Sequence, residues 1–343
     1  MNEKHHPLTL AEILDRTAYI YRSRFLVFFG IGVIPAGTVL VFFAGFVLFF
    51  AWIGSSDSSK LALTAGNILA WFFVGLIGLL AIPVCLGAAA LGWVAISRAA
   101  AQAYLGEKFG IRDAYRYGWK HHWRYVWLYS LVVLLVAVAP IAVFALGAPV
   151  ADALILLGGR TGIGAANGII GGAMFLLFAA LAVYAVWMLL RLCLAFPACV
   201  VEQSTAWKAL KRSAALSKGT KGRMILLYLL GAALSWLLAL GFLVPMGILL
   251  AMIPGINDPQ HAQTLGMVLM FTWYGLLFLV QALTKPVYGI ALTLFYFDQR
   301  IRMEGFDIEW MMQQAGMIVA LPTTLEAVPP TAPDPLVPGV SQS

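Results

Sequence analysis

The chain has 343 residues, of which 62% are hydrophobic and only 11% charged, and it carries a formal net charge of +7. So small a charged fraction, joined to apolar runs longer than the roughly 20 residues that cross a bilayer, excludes a soluble globular protein and marks an integral membrane protein. The positive charge reflects where basic residues fall between those runs, so it is no argument for a nucleic-acid partner.

The first two dozen residues read as an amphipathic helix. Leu10, Ile13, Leu14, Thr17 and Tyr21 share one face while Glu12, Arg16 and Arg22 point elsewhere, the period of a helix lying in the plane of a membrane surface. Apolar runs then predict six spans, at about 25–53, 66–97, 124–151, 168–195, 224–253 and 265–297. None alternates apolar and polar residues as a membrane strand does, and backbone in lipid must satisfy itself, so all six are expected to be helices. The first run is too long for a signal-peptide core, which keeps the N-terminus in the cytoplasm. Cys85, Cys193 and Cys199 lie in or beside apolar runs without metal-ligand spacing and read as small buried hydrophobes. Beyond the membrane domain, taken as 1–319, the proline-rich segment 320–343 reads as a disordered cytoplasmic tail.

A basic, aromatic stretch leads into every odd-numbered span: Ile13 to Phe25, Ile111 to Arg124, and Trp207 to Arg223, the last closing at Gly219 and Gly222, which suit a helix stop. Asp15 and Asp113 fall in register, Pro35, Pro140 and Pro245 are evenly spaced, and Glu107, Glu202 and Glu304 each close an apolar run. These recurrences predict an all-α integral membrane fold of three parallel two-helix repeats, about 8–106, 107–201 and 202–304, each preceded by a cytoplasmic interfacial helix. A fourth, incomplete copy starts at Asp307. Nineteen of the 22 basic residues flank the spans on one side, against Lys60 and Arg160 on the other, an imbalance that places both termini and the loops after even-numbered spans in the cytoplasm.

Two sets of residues are candidates for function. Arg16, Arg22, Arg24, Arg112, Arg116, Lys120, Arg124, Lys208, Lys211 and Arg212 lie in the amphipathic stretches and are candidate contacts for anionic lipid, each cation contributing about 1 kcal/mol near a charged surface. Lys285, about 20 Å from the end of the sixth span at helical rise, is an intramembrane cation. Pro286 beside it frees the Ala282 carbonyl, and Gln281 is one turn away, so the three predict a small polar pocket. Asp298 and Arg302 read as an i,i+4 brace at a helix end. The Gly168/Gly172 pair has the spacing of a helix contact. No catalytic pattern is expected: His5-His6 and His121-His122 are adjacent pairs that cannot share a helical face, and no metal site or cofactor is implied.

The segment Phe295-Tyr296-Phe297-Asp298-Gln299-Arg300-Ile301-Arg302-Met303-Glu304-Gly305-Phe306-Asp307 resembles the closing motif of the bacterial glycerophosphoryl diester phosphodiesterase membrane-domain family. Leu10 to Arg16 with Tyr21-Arg22, and Pro197 to Glu202 with Ala209 to Ser213, agree with it. The resemblance implies the membrane part alone, without the catalytic barrel, in a bacterial inner membrane. The function expected is a non-enzymatic module that engages lipids or a membrane-associated protein partner. The alternative is a transporter of a small or lipidic substrate with Lys285 in its pathway.

Overall fold

The structure, a computed structural model, describes residues 8–54, 65–107, 109–160, 164–252 and 262–304. His5-His6, Lys60, the stretch from Asp307 and the 320–343 tail lie outside the described residues. Among those described, all regular structure is helical: α1 Leu10–Ser23, α2 Phe25–Gly54, α3 Ala65–Tyr104, α4 Ile111–Lys120, α5 His122–Val133, α6 Ala139–Arg160, α7 Gly164–Leu192, α8 Ala195–Val201, α9 Ala206–Leu216, α10 Lys221–Ala251 and α11 Ala262–Glu304. Six helical segments are long and apolar enough to cross a membrane, Phe25–Leu48, Gly75–Tyr104, His122–Pro149, Gly168–Val201, Lys221–Ile248 and Val268–Glu304, as the hydropathy predicts. This is a multi-pass membrane protein.

The short helices α1, α4 and α9 come before α2, α5 and α10. Thr9 caps α1 through a reciprocal capping box: its side chain accepts from the Glu12 backbone N–H, and Glu12 Oε2 accepts from the Thr9 N–H at 2.6 Å. α1 passes into α2 through a single kinked residue, Arg24 (φ −132°, ψ 36°), and α4 into α5 through His121 with nearly the same dihedrals (φ −130°, ψ 38°). The third junction differs. After Leu216 the chain turns through Ser217 to Gly219, whose φ of +80° is the left-handed conformation that ends a helix. Between α5 and α6 a five-residue π segment, Leu134–Val138, precedes Pro140, which cannot donate to the carbonyl four residues back.

The core lies at the end of the bundle that carries the basic residues, called here the basic end. Phe28 and Ile31 of α2, Ile96 and Ala99 of α3, Met224 of α10, and Ile290, Phe295 and Tyr296 of α11 are all buried there. Small residues set how closely these helices approach. A Cβ on Gly289 would collide with Ile96 of α3, and one on Gly92 would sit 2.8 Å from the Pro35 ring of α2. α3 runs on to Tyr104 and α11 to Glu304, beyond the apolar runs that predict the spans. A second cluster joins Val94, Tyr125, Leu128, Phe196, Cys199 and Leu210. Away from the basic end, α6, α7 and α10 present mostly exposed apolar side chains such as Leu146, Phe175, Val183 and Leu237, the surface that lipid covers. A methyl group added at Gly168 or Gly172 would meet nothing within 4 Å among the described residues, so the helix contact expected from their spacing is not made among them.

Candidate functional site

The polar groups of the basic end fall into two networks that hold the short helices onto the long ones. At the first, the Asp298 side chain of α11 is fully buried. Arg302 Nε donates to both its oxygens at 3.0 Å, Arg223 Nη1 of α10 donates to Oδ2 at 3.1 Å, and the Leu8 N–H donates to Oδ1 at 2.8 Å. The same two arginines donate to the Leu8 carbonyl, Arg302 at 2.7 Å and Arg223 at 2.9 Å. One carboxylate and two guanidinium groups thus grip both polar groups of Leu8 at the start of α1. The i,i+4 brace is present, but it is part of a larger clamp.

At the second, Arg212 of α9 bridges two acids. Its Nε donates to Glu202 Oε1 at 2.9 Å, and an Nη pairs with Glu304, which also receives Arg300 at 3.3 Å. Burial alone would lower the Arg212 pKa, but hydrogen bonds and charge from Glu202 and Glu304 outweigh it and raise the value. The Tyr296 hydroxyl completes the group by donating to Glu202 Oε1 at 2.7 Å. Two of the three recurrent glutamates therefore meet through an arginine. The third, Glu107, accepts from Gln102 instead. Among the described residues no group of three or more His, Cys, Asp or Glu is arranged to hold a metal ion.

Hydroxyl groups fasten all three short helices. Tyr21 of α1 donates to the Leu283 carbonyl at 3.0 Å, Tyr115 of α4 to the Ile31 carbonyl at 2.8 Å, and Ser213 of α9 to the Arg191 carbonyl at 2.9 Å. Ile31 is four residues before Pro35, so its carbonyl lacks the usual helical donor and Tyr115 replaces it. Burial pushes the Tyr21 phenol up to about 12, so it stays a donor at any physiological pH.

The ten candidate lipid contacts divide by their surroundings. Arg124 turns inward, giving Nη1 to the Gln203 carbonyl and Nη2 to the Tyr125 hydroxyl, both at 2.8 Å, and Arg212 is held as described. Arg16 is half-buried beside the Tyr104 ring and Arg24 approaches Phe109. Arg22, Arg112, Arg116, Lys120, Lys208 and Lys211 are exposed. On α4 and α5 the exposed Trp119, Trp123 and Trp127 adjoin the basic stripe, with His122 between the first two rings at 5.5 and 5.4 Å.

Lys285 is partly buried and, among the described residues, has no hydrogen-bond or ion-pair partner, while Gln281 is exposed. The carbonyl of Ala282 faces Gly32 of α2, which has no side chain to keep it away. Two small apolar cavities, of about 170 and 90 Å³, are lined by Leu243, Met246 and Trp273 and by Leu14, Leu227 and Tyr288, and Lys285 lines neither.

No family model, curated protein or solved structure matches the chain. None of these comparisons links the chain to a glycerophosphoryl diester phosphodiesterase membrane family. Sequence reasoning missed Arg223, Tyr115 and the capping box, of which only the last had a local signal, the Thr-x-x-Glu pattern at Thr9.

Proposed function

We propose that this protein is a non-catalytic membrane module whose basic end engages anionic lipid. One observation carries the reading: Arg112, Arg116 and Lys120 form an exposed stripe on α4, with no ion-pair partner among the described residues, while Ala114 and Gly118 on its other face are buried against the bundle. A helix fixed on one side and cationic on the other is suited to an anionic surface, with the neighbouring tryptophans at headgroup depth. The paired acids support a structural role for themselves, because Asp298 is fully buried and Asp298, Glu202 and Glu304 are each held in an ion pair with arginine. The resemblance to a membrane domain of glycerophosphodiesterases agrees with a lipid-facing task.

The same reading takes α1, α4 and α9 as cytoplasmic interfacial helices of three parallel units, in a bacterial inner membrane. The matching kinks at Arg24 and His121 support the equivalence of the first two units. Reporter fusions after Asp57, Arg160 and Asp258 are expected to read external and those after Lys108 and Lys218 internal. A single reversal would break the proposed pairing of spans.

The lipid reading is tested by mass spectrometry of lipids that survive gentle purification. Anionic lipid is expected to be enriched several-fold over its share of the source membrane, and R112Q/R116Q/K120Q to remove most of that enrichment. An unenriched lipid complement in the native chain would refute the proposal.

A further inference from the structure

A second group of cations without acids lies away from α4, where α7 meets α10. Arg191 and Lys221 both approach the ring of Trp187, each 5.2 Å from its centroid, so the two charges are no further apart than twice that distance. Neither has an ion-pair partner among the described residues. Arg212, Arg223 and Arg302 each pair with Glu202, Glu304 or Asp298, so the absence of an acid here is local. Trp187 is 41% exposed and lies little more than a turn before the end of α7 at the basic end, the depth at which tryptophan meets headgroups.

The surroundings suit the rest of a lipid. α7 and α10 touch at the basic end, where the Cys193 thiol approaches Met224 Sδ at 3.6 Å. Further along, Val183 lies one turn from Trp187 and Ile225 one turn from Lys221, and both are exposed and apolar. A phosphate at the two cations would therefore have a greasy seam running away from it into the membrane. Lys221 also opens α10, whose first backbone N–H groups favour an anion.

We propose that Arg191, Trp187 and Lys221 form a binding site for the phosphate of an anionic glycerophospholipid, with its acyl chains along the α7/α10 seam. The site deepens the lipid-engaging reading and rests on it. A free phosphate ion would use the same cations but gain nothing from the seam, which is why the lipid is the occupant.

The test is native mass spectrometry of the purified full chain titrated with phosphatidylglycerol or phosphatidylcholine. The native chain is expected to prefer phosphatidylglycerol, and R191Q/K221Q to weaken that binding on the order of tenfold while leaving phosphatidylcholine unchanged. The charge-preserving R191K/K221R should retain the preference, which separates loss of charge from loss of fold. Unaltered phosphatidylglycerol binding by R191Q/K221Q, with loss only in R112Q/R116Q/K120Q, would overturn this site and leave the lipid-engaging reading standing. No preference between the two lipids in the native chain would overturn both. Displacement of the lipid by millimolar inorganic phosphate would assign the cations to a free anion instead.

Discussion

Asp298→Asn is expected to destabilise the protein by about 3–5 kcal/mol, the usual cost of removing one partner from a buried, hydrogen-bonded ion pair. Its carboxylate is fully enclosed and is the only acid in contact with Arg223 and Arg302 among the described residues. Neutralising it leaves two guanidinium groups converging on the Leu8 carbonyl with their charge uncompensated. The effect should appear as a lower midpoint of thermal unfolding in detergent and as faster proteolysis within α1. Combining Asp298→Asn with Arg302→Met should cost less than the two changes added together, because the second removes a charge that the first has stranded. A midpoint unchanged in Asp298→Asn would mean that the clamp does not hold α1 in place.

Gly32→Ala has the next largest expected effect, and it acts through shape alone. A methyl group at this position of α2 would run into the carbonyl oxygen of Ala282 and come within 3.1 Å of the Pro286 ring. The obstruction is backbone, which cannot rotate aside as a flexible side chain can, so α2 and α11 must separate. Overpacking of this kind costs about 1–3 kcal/mol. Gly45→Ala in the same helix has nothing within 4 Å and should be neutral or slightly stabilising, since alanine is the better helix former. Equal stability of the two variants would show that the α2/α11 seam is looser than the structure has it.

How much of this could be read from the residues alone differs by element. The spans were legible because a membrane makes length and hydropathy nearly sufficient, and α1 because its apolar residues recur at the helical period. The meeting of Glu202 and Glu304 was foreshadowed by their equivalent places at the ends of apolar runs. What binds them was not: Arg212 looked like one more surface cation, and nothing near it in sequence marks it as the bridge. Tyr115 illustrates the same limit. Proline at position 35 announces a carbonyl in need of a donor at Ile31, but the donor arrives from 84 residues away and has no local signature. Lys285 was conspicuous in the sequence by its depth. Its predicted companions are dispersed, because the Ala282 carbonyl is turned toward Gly32 and Gln281 is exposed, geometry that helical spacing does not encode.

The clamp on Leu8 also orders events during synthesis. Leu8 leaves the ribosome long before Asp298, which comes 290 positions later, after five spans have already been delivered to the membrane. Until the sixth span arrives, α1 has neither its acid nor the Leu283 carbonyl that receives Tyr21, so it waits without its final dock. The earliest of the described helices to be made is thus among the last of them to be secured. Arrival of α11 closes the bundle by joining the first described helix to the last.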